Sequence, residues 1–122
     1  MYKFPYSIDN KRYHTLNFYN KNRYGKRVMK AVIDAGFTCP NADGTKGTGG
    51  CIYCREGSGY FTSRYSDNIY EDVINQLTAE KQRIFAKFPD CLITAYFQAN
   101  TNTYAPIHIL EKAYNAALDC SV

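Results

Sequence analysis

Apolar and polar positions along this chain switch between two periods, and the switches mark its elements. Between Tyr13 and Lys26, Leu16, Tyr19 and Tyr24 recur at a loose helical spacing. Val28 to Ile33 (VMKAVI) is short and β-branched, so Arg27–Asp34 reads as a strand. Ile69, Val73, Leu77, Ile84 and Phe88 then share one face of a 3.6-residue period. Glu71, Asp72, Glu80, Lys81, Arg83 and Lys87 fill the opposite face. Ser66 or Asp67 is expected to cap this helix, and Pro89-Asp90 to stop it. Cys91–Phe97 (CLITAYF) is a second strand, and Gln98–Tyr104 a polar turn. Pro106 is expected in the first turn of a last helix, whose apolar face is Ile107, Leu110, Tyr114 and Leu118.

The order is therefore βαβα, which calls for a parallel sheet with crossover helices. Two parallel strands do not make a self-standing α/β domain, because such sheets are normally covered on both faces by several units. The expectation is that the 122 residues are an N-terminal piece of a larger protein, or need a partner to complete them. Residues 1–26 form a separate leading segment, and the α/β core starts at residue 27.

Composition narrows the class. At 45% hydrophobic and 21% charged residues, the chain is too apolar for disorder. Its longest apolar runs are a few residues, which excludes a transmembrane helix. Met1 to Asn10 has no apolar stretch of the secretory type, so a cytoplasmic setting is expected. There the five cysteines are thiols or metal ligands, not disulfides.

Charge is uneven. Residues 1–30 carry eight basic side chains (Lys3, Lys11, Arg12, Lys21, Arg23, Lys26, Arg27, Lys30) against Asp9, a local charge of +7 within a net charge of +4. Tyr2, Phe4, Tyr6, Tyr13, Phe18, Tyr19 and Tyr24 are interleaved with them. Basic charge among aromatics suits a polyanion with stackable bases. It also suits a solvated leader whose aromatics pack on the domain.

Gly36 to Gly59 is a glycine-rich loop, longer than connections in compact domains usually are. Cys39, Cys51 and Cys54 lie in it as C-x11-C-x2-C. Structural zinc needs a fourth ligand, and His14, His108, Asp34 and Asp43 have no finger-like spacing. A redox C-x-x-C pair normally opens a helix, yet glycines follow here and Cys39 is left over. A cubane iron–sulfur cluster held by three cysteines keeps one iron open. A loop leaving the C-terminal end of a barrel strand is also where β/α barrels do chemistry. Cys91 reads as core and Cys120 as incidental. His14 reads as a surface histidine and His108 as structural.

Asp34-Ala35-Gly36-Phe37-Thr38-Cys39-Pro40-Asn41 through Gly49-Gly50-Cys51-Ile52-Tyr53-Cys54 resembles the radical S-adenosylmethionine (SAM) superfamily. Within it, the stretch is similar to the bacterial YhcC/YtqA-like branch related to the Elongator catalytic subunit. Arg12-Tyr13 with Gly25-Lys26, and Tyr96-Phe97-Gln98 with Thr101-Asn102-Thr103-Tyr104-Ala105-Pro106, extend the likeness from about residue 12 to 118. Ala42 departs from the branch, where a basic residue is expected.

The resemblance implies the first two β/α units of a partial (β/α)6 barrel. It implies Cys39, Cys51 and Cys54 as ligands of a [4Fe–4S] cluster, with SAM on the open iron. SAM would be cleaved reductively to methionine and a 5′-deoxyadenosyl radical, with an electron donor such as flavodoxin or ferredoxin. Tyr53 would lie near the adenine, and Gln98, Thr101 and Thr103 near the SAM amino group. From the residues alone, Tyr53 also reads as a packing aromatic and the other three as turn and cap residues. The branch implies tRNA as substrate, through the wobble uridine. The rival readings are a non-catalytic zinc- or iron-binding RNA module and an inactive fragment.

Overall fold

The structure is a computed structural model that describes residues 3–5, 10–54 and 67–120. Its elements are α1 (Leu16–Tyr24), β1 (Arg27–Ile33), α2 (Ile69–Lys87), β2 (Cys91–Phe97) and α3 (Ile107–Asp119). The class is mixed α/β. β1 and β2 pair in parallel, from Arg27 opposite Cys91 to Ile33 opposite Phe97.

Alternation along the strands decides what each face meets. Ala31, Ile33, Cys91 and Ile93 point to the helices and are buried, so Cys91 is core as expected. Lys30, Leu92, Thr94 and Tyr96 on the other face are exposed. Val73, Leu77 and Ile84 of α2 close over the inner face, with Ala113, Ala116 and Ala117 of α3 beside them. Burying an aliphatic side chain of this size contributes about 1.5–3 kcal/mol, so Ile33, Leu77 and Ile84 anchor this layer.

Several expectations need correction. The cap of α2 is Asn68, whose Oδ1 accepts from the Tyr70 N–H at 3.1 Å. Asp67 lies one residue too early for that bond, and Ser66 lies outside the described residues. Asp72 and Glu80, assigned to the charged face, are 2% and 4% exposed. Partners make their burial tolerable: Gln76 donates to Asp72 at 3.0 Å, and Arg83 forks onto Glu80 at 3.0 and 2.9 Å. Phe88 is the C-cap of α2 and, partly buried, packs against the core as the last residue of that face. The Arg27 and Lys87 cations lie 4.7 and 5.5 Å from the centre of its ring. Pro106 is the N-cap of α3 and not a first-turn residue. The buried stripe of α3 is its three alanines, while Ile107 and Leu118 stay exposed. Small side chains let α3 approach α2 closely, which leaves the larger ones at the margins.

α1 is capped at Thr15, whose hydroxyl accepts from Phe18 N–H at 3.1 Å, and it ends at Gly25 with φ 73°. None of its residues is buried. Leu16, Asn20 and Tyr24 instead border a recess of about 780 Å³ over the outer face of the sheet, floored by Val28 and Leu92. No helix among the described residues is long and apolar enough to cross a membrane.

Candidate metal centre

The site is built outward from the C-terminal ends of the two strands. β1 ends at Ile33, one residue before the expected strand end at Asp34. There the Gln76 side chain of α2 grips both backbone groups: Oε1 accepts from Asp34 N–H at 2.9 Å, and Nε2 donates to Asp34 C=O at 2.8 Å. The Asp34 carboxylate accepts from Gly36 N–H at 2.8 Å, and Gly36 has φ 76°. Ala35 and Phe37 remain buried, so the chain stays anchored until it reaches Cys39.

The loop after β2 ties down the same stretch. Gln98 N–H donates to Ile33 C=O at 3.0 Å, and Thr101 N–H to Thr38 C=O at 3.2 Å. Asn100 Nδ2 donates to Phe37 C=O at 2.9 Å. These bonds hold the β2 loop against the residues leading to Cys39. The Thr101 hydroxyl is the largest influence lowering the Cys39 thiol from its ordinary value, followed by the backbone N–H groups of Asn41 and Ala42.

The gap between Cys39 and Cys51 is folded, not extended. Cys39 C=O accepts from Ala42 and Asp43 N–H, each at 2.9 Å. Asp43 bridges Thr48 in antiparallel fashion, and Gly50 N–H returns to Asn41 C=O at 3.1 Å. Gly50 has φ 69°, a conformation that L side chains rarely adopt, so the return leg relies on a glycine there. The hairpin thus carries Cys51 back beside the Cys39 turn. Cys54 N–H donates to Cys51 C=O at 3.0 Å and closes the C-x-x-C pair into one turn.

Asp43 knits this hairpin to its surroundings. Its carboxylate accepts from Thr45 N–H at 2.9 Å and from the Thr38 hydroxyl at 3.2 Å. Tyr104 also reaches it, with its hydroxyl 2.9 Å from Thr45 Oγ1. Thr45, with its backbone N–H first and its hydroxyl next, holds the Asp43 carboxyl below the usual carboxylate range, and Thr38 and Tyr104 add to it.

All five cysteines are free thiols. Cys39 and Cys51 are half-buried and Cys54 is exposed. The Tyr53 hydroxyl responds to all three loop cysteines. Its hydrogen bond to Cys51 is the largest cause raising it, and the charges of Cys51, Cys54 and Cys39 act in the same direction. The Tyr53 ring is 87% exposed, so it is not a core aromatic. Of the other residues expected near SAM, Gln98 and Thr101 lie in the ties just described. Thr103 is exposed and borders a recess of about 610 Å³ with Thr38, Asp43 and Tyr104.

Among the described residues, no three His, Cys, Asp or Glu side chains are gathered as a group that could hold a metal ion. The candidate fourth zinc ligands are engaged or placed elsewhere. His14, just before α1, packs edge-on against Phe18 and Tyr19 of that helix at 5.6 and 6.3 Å. His108 is exposed in the first turn of α3. Asp34 and Asp43 bind backbone and hydroxyl donors within the loop. Gly57 and Gly59 lie outside the described residues. So do Tyr2, Tyr6 and Asp9 of the leader.

Two basic residues of the leader have partners, one aromatic and one acidic. Arg23 donates to the Tyr19 hydroxyl at 3.1 Å and lies 5.6 Å from the Tyr24 ring centre. Lys26 pairs with Asp90 at 2.7 Å. Gln76, Asn100 and Asp43 were not singled out in the sequence as parts of such a framework. Their only signal was a polar residue at a core-facing helical position, in the case of Gln76, and polar residues in loops for the other two.

No protein-family model matches the chain, and no solved structure does. The chain is similar to the uncharacterized protein YtqA of Bacillus subtilis, 44% identical over 116 residues, covering 94% of this chain and 35% of the relative. It is 36% identical over 98 residues to protein YhcC of Escherichia coli K12, covering 79% of this chain and 29% of the relative. It is 30% identical over 103 residues to an uncharacterized protein of Methanocaldococcus jannaschii, covering 82% of this chain and 29% of the relative. The chain thus spans about a third of the length of these relatives.

Proposed function

We propose that this chain carries the cluster-binding part of a radical SAM enzyme, two β/α units of a partial (β/α)6 barrel, acting on tRNA in a cytoplasmic setting. The observation that carries the reading is the folded hairpin at the C-terminal end of β1, which returns the Cys51–Cys54 turn towards the turn at Cys39. Three thiols from one loop are a donor set suited to an iron–sulfur cluster with one iron left open. Asn102 Oδ1 in the β2 loop adds a buried acceptor with no hydrogen-bond partner among the described residues.

Cys39, Cys51 and Cys54 would hold the cluster. With SAM bound, such a cluster would supply the electron for reductive cleavage of SAM. The chain's own residues orient the ligands. Gln76 fixes where the loop leaves β1, Thr101 N–H ties the β2 loop to Thr38, and Asp43 holds the hairpin closed. Ile52 and Tyr53 give the tip of the loop an exposed apolar surface that can cover a bound cofactor from water. The charge and aromatics of residues 1–30 support a nucleic-acid substrate.

The test is anaerobic reconstitution with iron and sulfide, read by metal content and by low-temperature EPR with and without SAM. The expected result is a reducible cluster whose signal changes with SAM and is lost in Cys54→Ala. About one zinc per chain and no cluster overturns the reading in favour of a binding module. A tRNA affinity that stays level between low and moderate salt removes the basic segment as a phosphate reader.

A further inference from the structure

The end of the sheet opposite the cysteine hairpin gathers positive charge. Lys21 of α1, Lys26 and Arg27 at the start of β1, and Lys87 at the end of α2 rim a recess of about 400 Å³ with Phe88 and Asp90. Four cations meet one carboxylate there, a local charge of +3. Asp90 pairs with Lys26 at 2.7 Å. Among the described residues, Lys21, Arg27 and Lys87 make no ion pair. Arg27 and Lys87 lie 4.7 and 5.5 Å from the centre of the Phe88 ring, so one half-buried ring steadies two cations at the rim. The helix dipole accounts for Lys21 and Lys87, which sit in the last turns of α1 and α2. It does not account for Lys26 and Arg27, which follow the Gly25 cap. Tyr19 and Tyr24, on the helix that carries Lys21, are 44% and 50% exposed. Exposed rings beside cations give nucleic-acid bases a stacking surface, for which an acidic protein has no use.

We propose that this recess is where the chain grips the phosphodiester backbone of RNA, with Lys21, Arg27 and Lys87 as the phosphate contacts. The proposal rests on the reading of the substrate as RNA and assigns its place on the fold; it does not depend on the three cysteines. Cations gathered without carboxylate partners repel one another, and a run of phosphates relieves that repulsion while releasing its own counterions. The seven residues of β1 put about 20 Å between the recess and the hairpin. An RNA held at both ends of the sheet spans at least about that length, which favours a folded RNA over a single nucleotide.

The experiment is fluorescence anisotropy of a labelled tRNA transcript titrated with the chain, from about 50 to 200 mM salt. Wild type, Arg27→Gln, Arg27→Lys, Lys87→Gln and Lys112→Gln are compared, with circular dichroism measured on each. Each phosphate contact carries about 0.7–0.9 of the slope of log affinity against log salt. Arg27→Gln and Lys87→Gln are each expected to flatten the slope by about that much. Arg27→Lys, which keeps the charge, is expected to keep the slope. So is Lys112→Gln, which removes an exposed charge from α3. If Arg27→Gln does not fold, Lys87→Gln decides, since Lys87 is exposed. Wild-type slopes in both recess variants, or a Lys112→Gln slope that falls as far as theirs, overturn the proposal and leave the RNA reading standing. Polyglutamate that displaces the transcript as well as unlabelled tRNA does overturns it in favour of an acidic protein partner. A wild-type chain that does not bind the transcript overturns both.

Discussion

Replacing Gln76 by Leu removes a buried clamp with almost no change in volume. Gln76 is 2% exposed and makes three hydrogen bonds, two to the Asp34 backbone at 2.9 and 2.8 Å and one to Asp72 at 3.0 Å. At about 1 kcal/mol net for a neutral hydrogen bond and about 1.5–3 kcal/mol for one to a carboxylate, the three are worth about 3–5 kcal/mol. Extra apolar burial by Leu returns about 1 kcal/mol. The expected loss is therefore about 3 kcal/mol, against a typical total of about 5–15 kcal/mol. Urea unfolding followed by far-UV circular dichroism measures it, with a lower midpoint and an unchanged slope expected. Asn75→Leu, one residue away on the exposed face, is the control and should change stability by under about 0.5 kcal/mol. If Gln76→Leu costs under about 1 kcal/mol, the clamp does not hold the exit of β1 as argued.

Two pH-dependent predictions follow from bonds at the two ends of the helical layer and the loop. Tyr70 donates to the Asp119 carboxylate at 2.7 Å, and that bond raises the phenol above its ordinary value. The folded chain then holds this proton longer than the unfolded one. The stabilisation is whole below about pH 10, the ordinary tyrosine value, and is lost as pH rises through the raised one. Tyr70→Phe should flatten that alkaline limb in thermal melts; a limb of unchanged depth would refute the link. Asp43 is lowered, chiefly by Thr45, so its contribution is present above about pH 4 and lost as pH falls through the depressed value. Asp43→Asn should shrink the acid limb and speed hydrogen exchange at Thr45 N–H, which the Asp43 carboxylate binds at 2.9 Å. Unchanged exchange would show that the carboxylate does not hold the hairpin.

Period and punctuation in the sequence determined much of this protein. The β-branched run before Asp34 became β1, CLITAYF became β2 residue for residue, and the apolar spacing from Ile69 to Ile84 became the buried stripe of α2. Those signals are local, because a strand or an amphipathic helix needs only its own residues to declare its period. The C-x11-C-x2-C spacing was equally legible, since it is a property of one loop.

What decided the rest is contact between residues far apart. No local rule foretells that Gln76 reaches 42 residues back to Asp34, or that Tyr104 meets Thr45 across 59. The buried carboxylates of α2 look like surface charges in sequence, because their burial depends on Gln76 and Arg83 supplying donors. The alanine stripe of α3 was hidden for a similar reason: small residues mark a face only when a second helix packs against it. The ties of Asn100 and Thr101 to Phe37 and Thr38 likewise exist only where parallel pairing brings the ends of β1 and β2 together. Sequence periodicity sets which elements form; the register between β1 and β2 sets which side chains surround the cysteines.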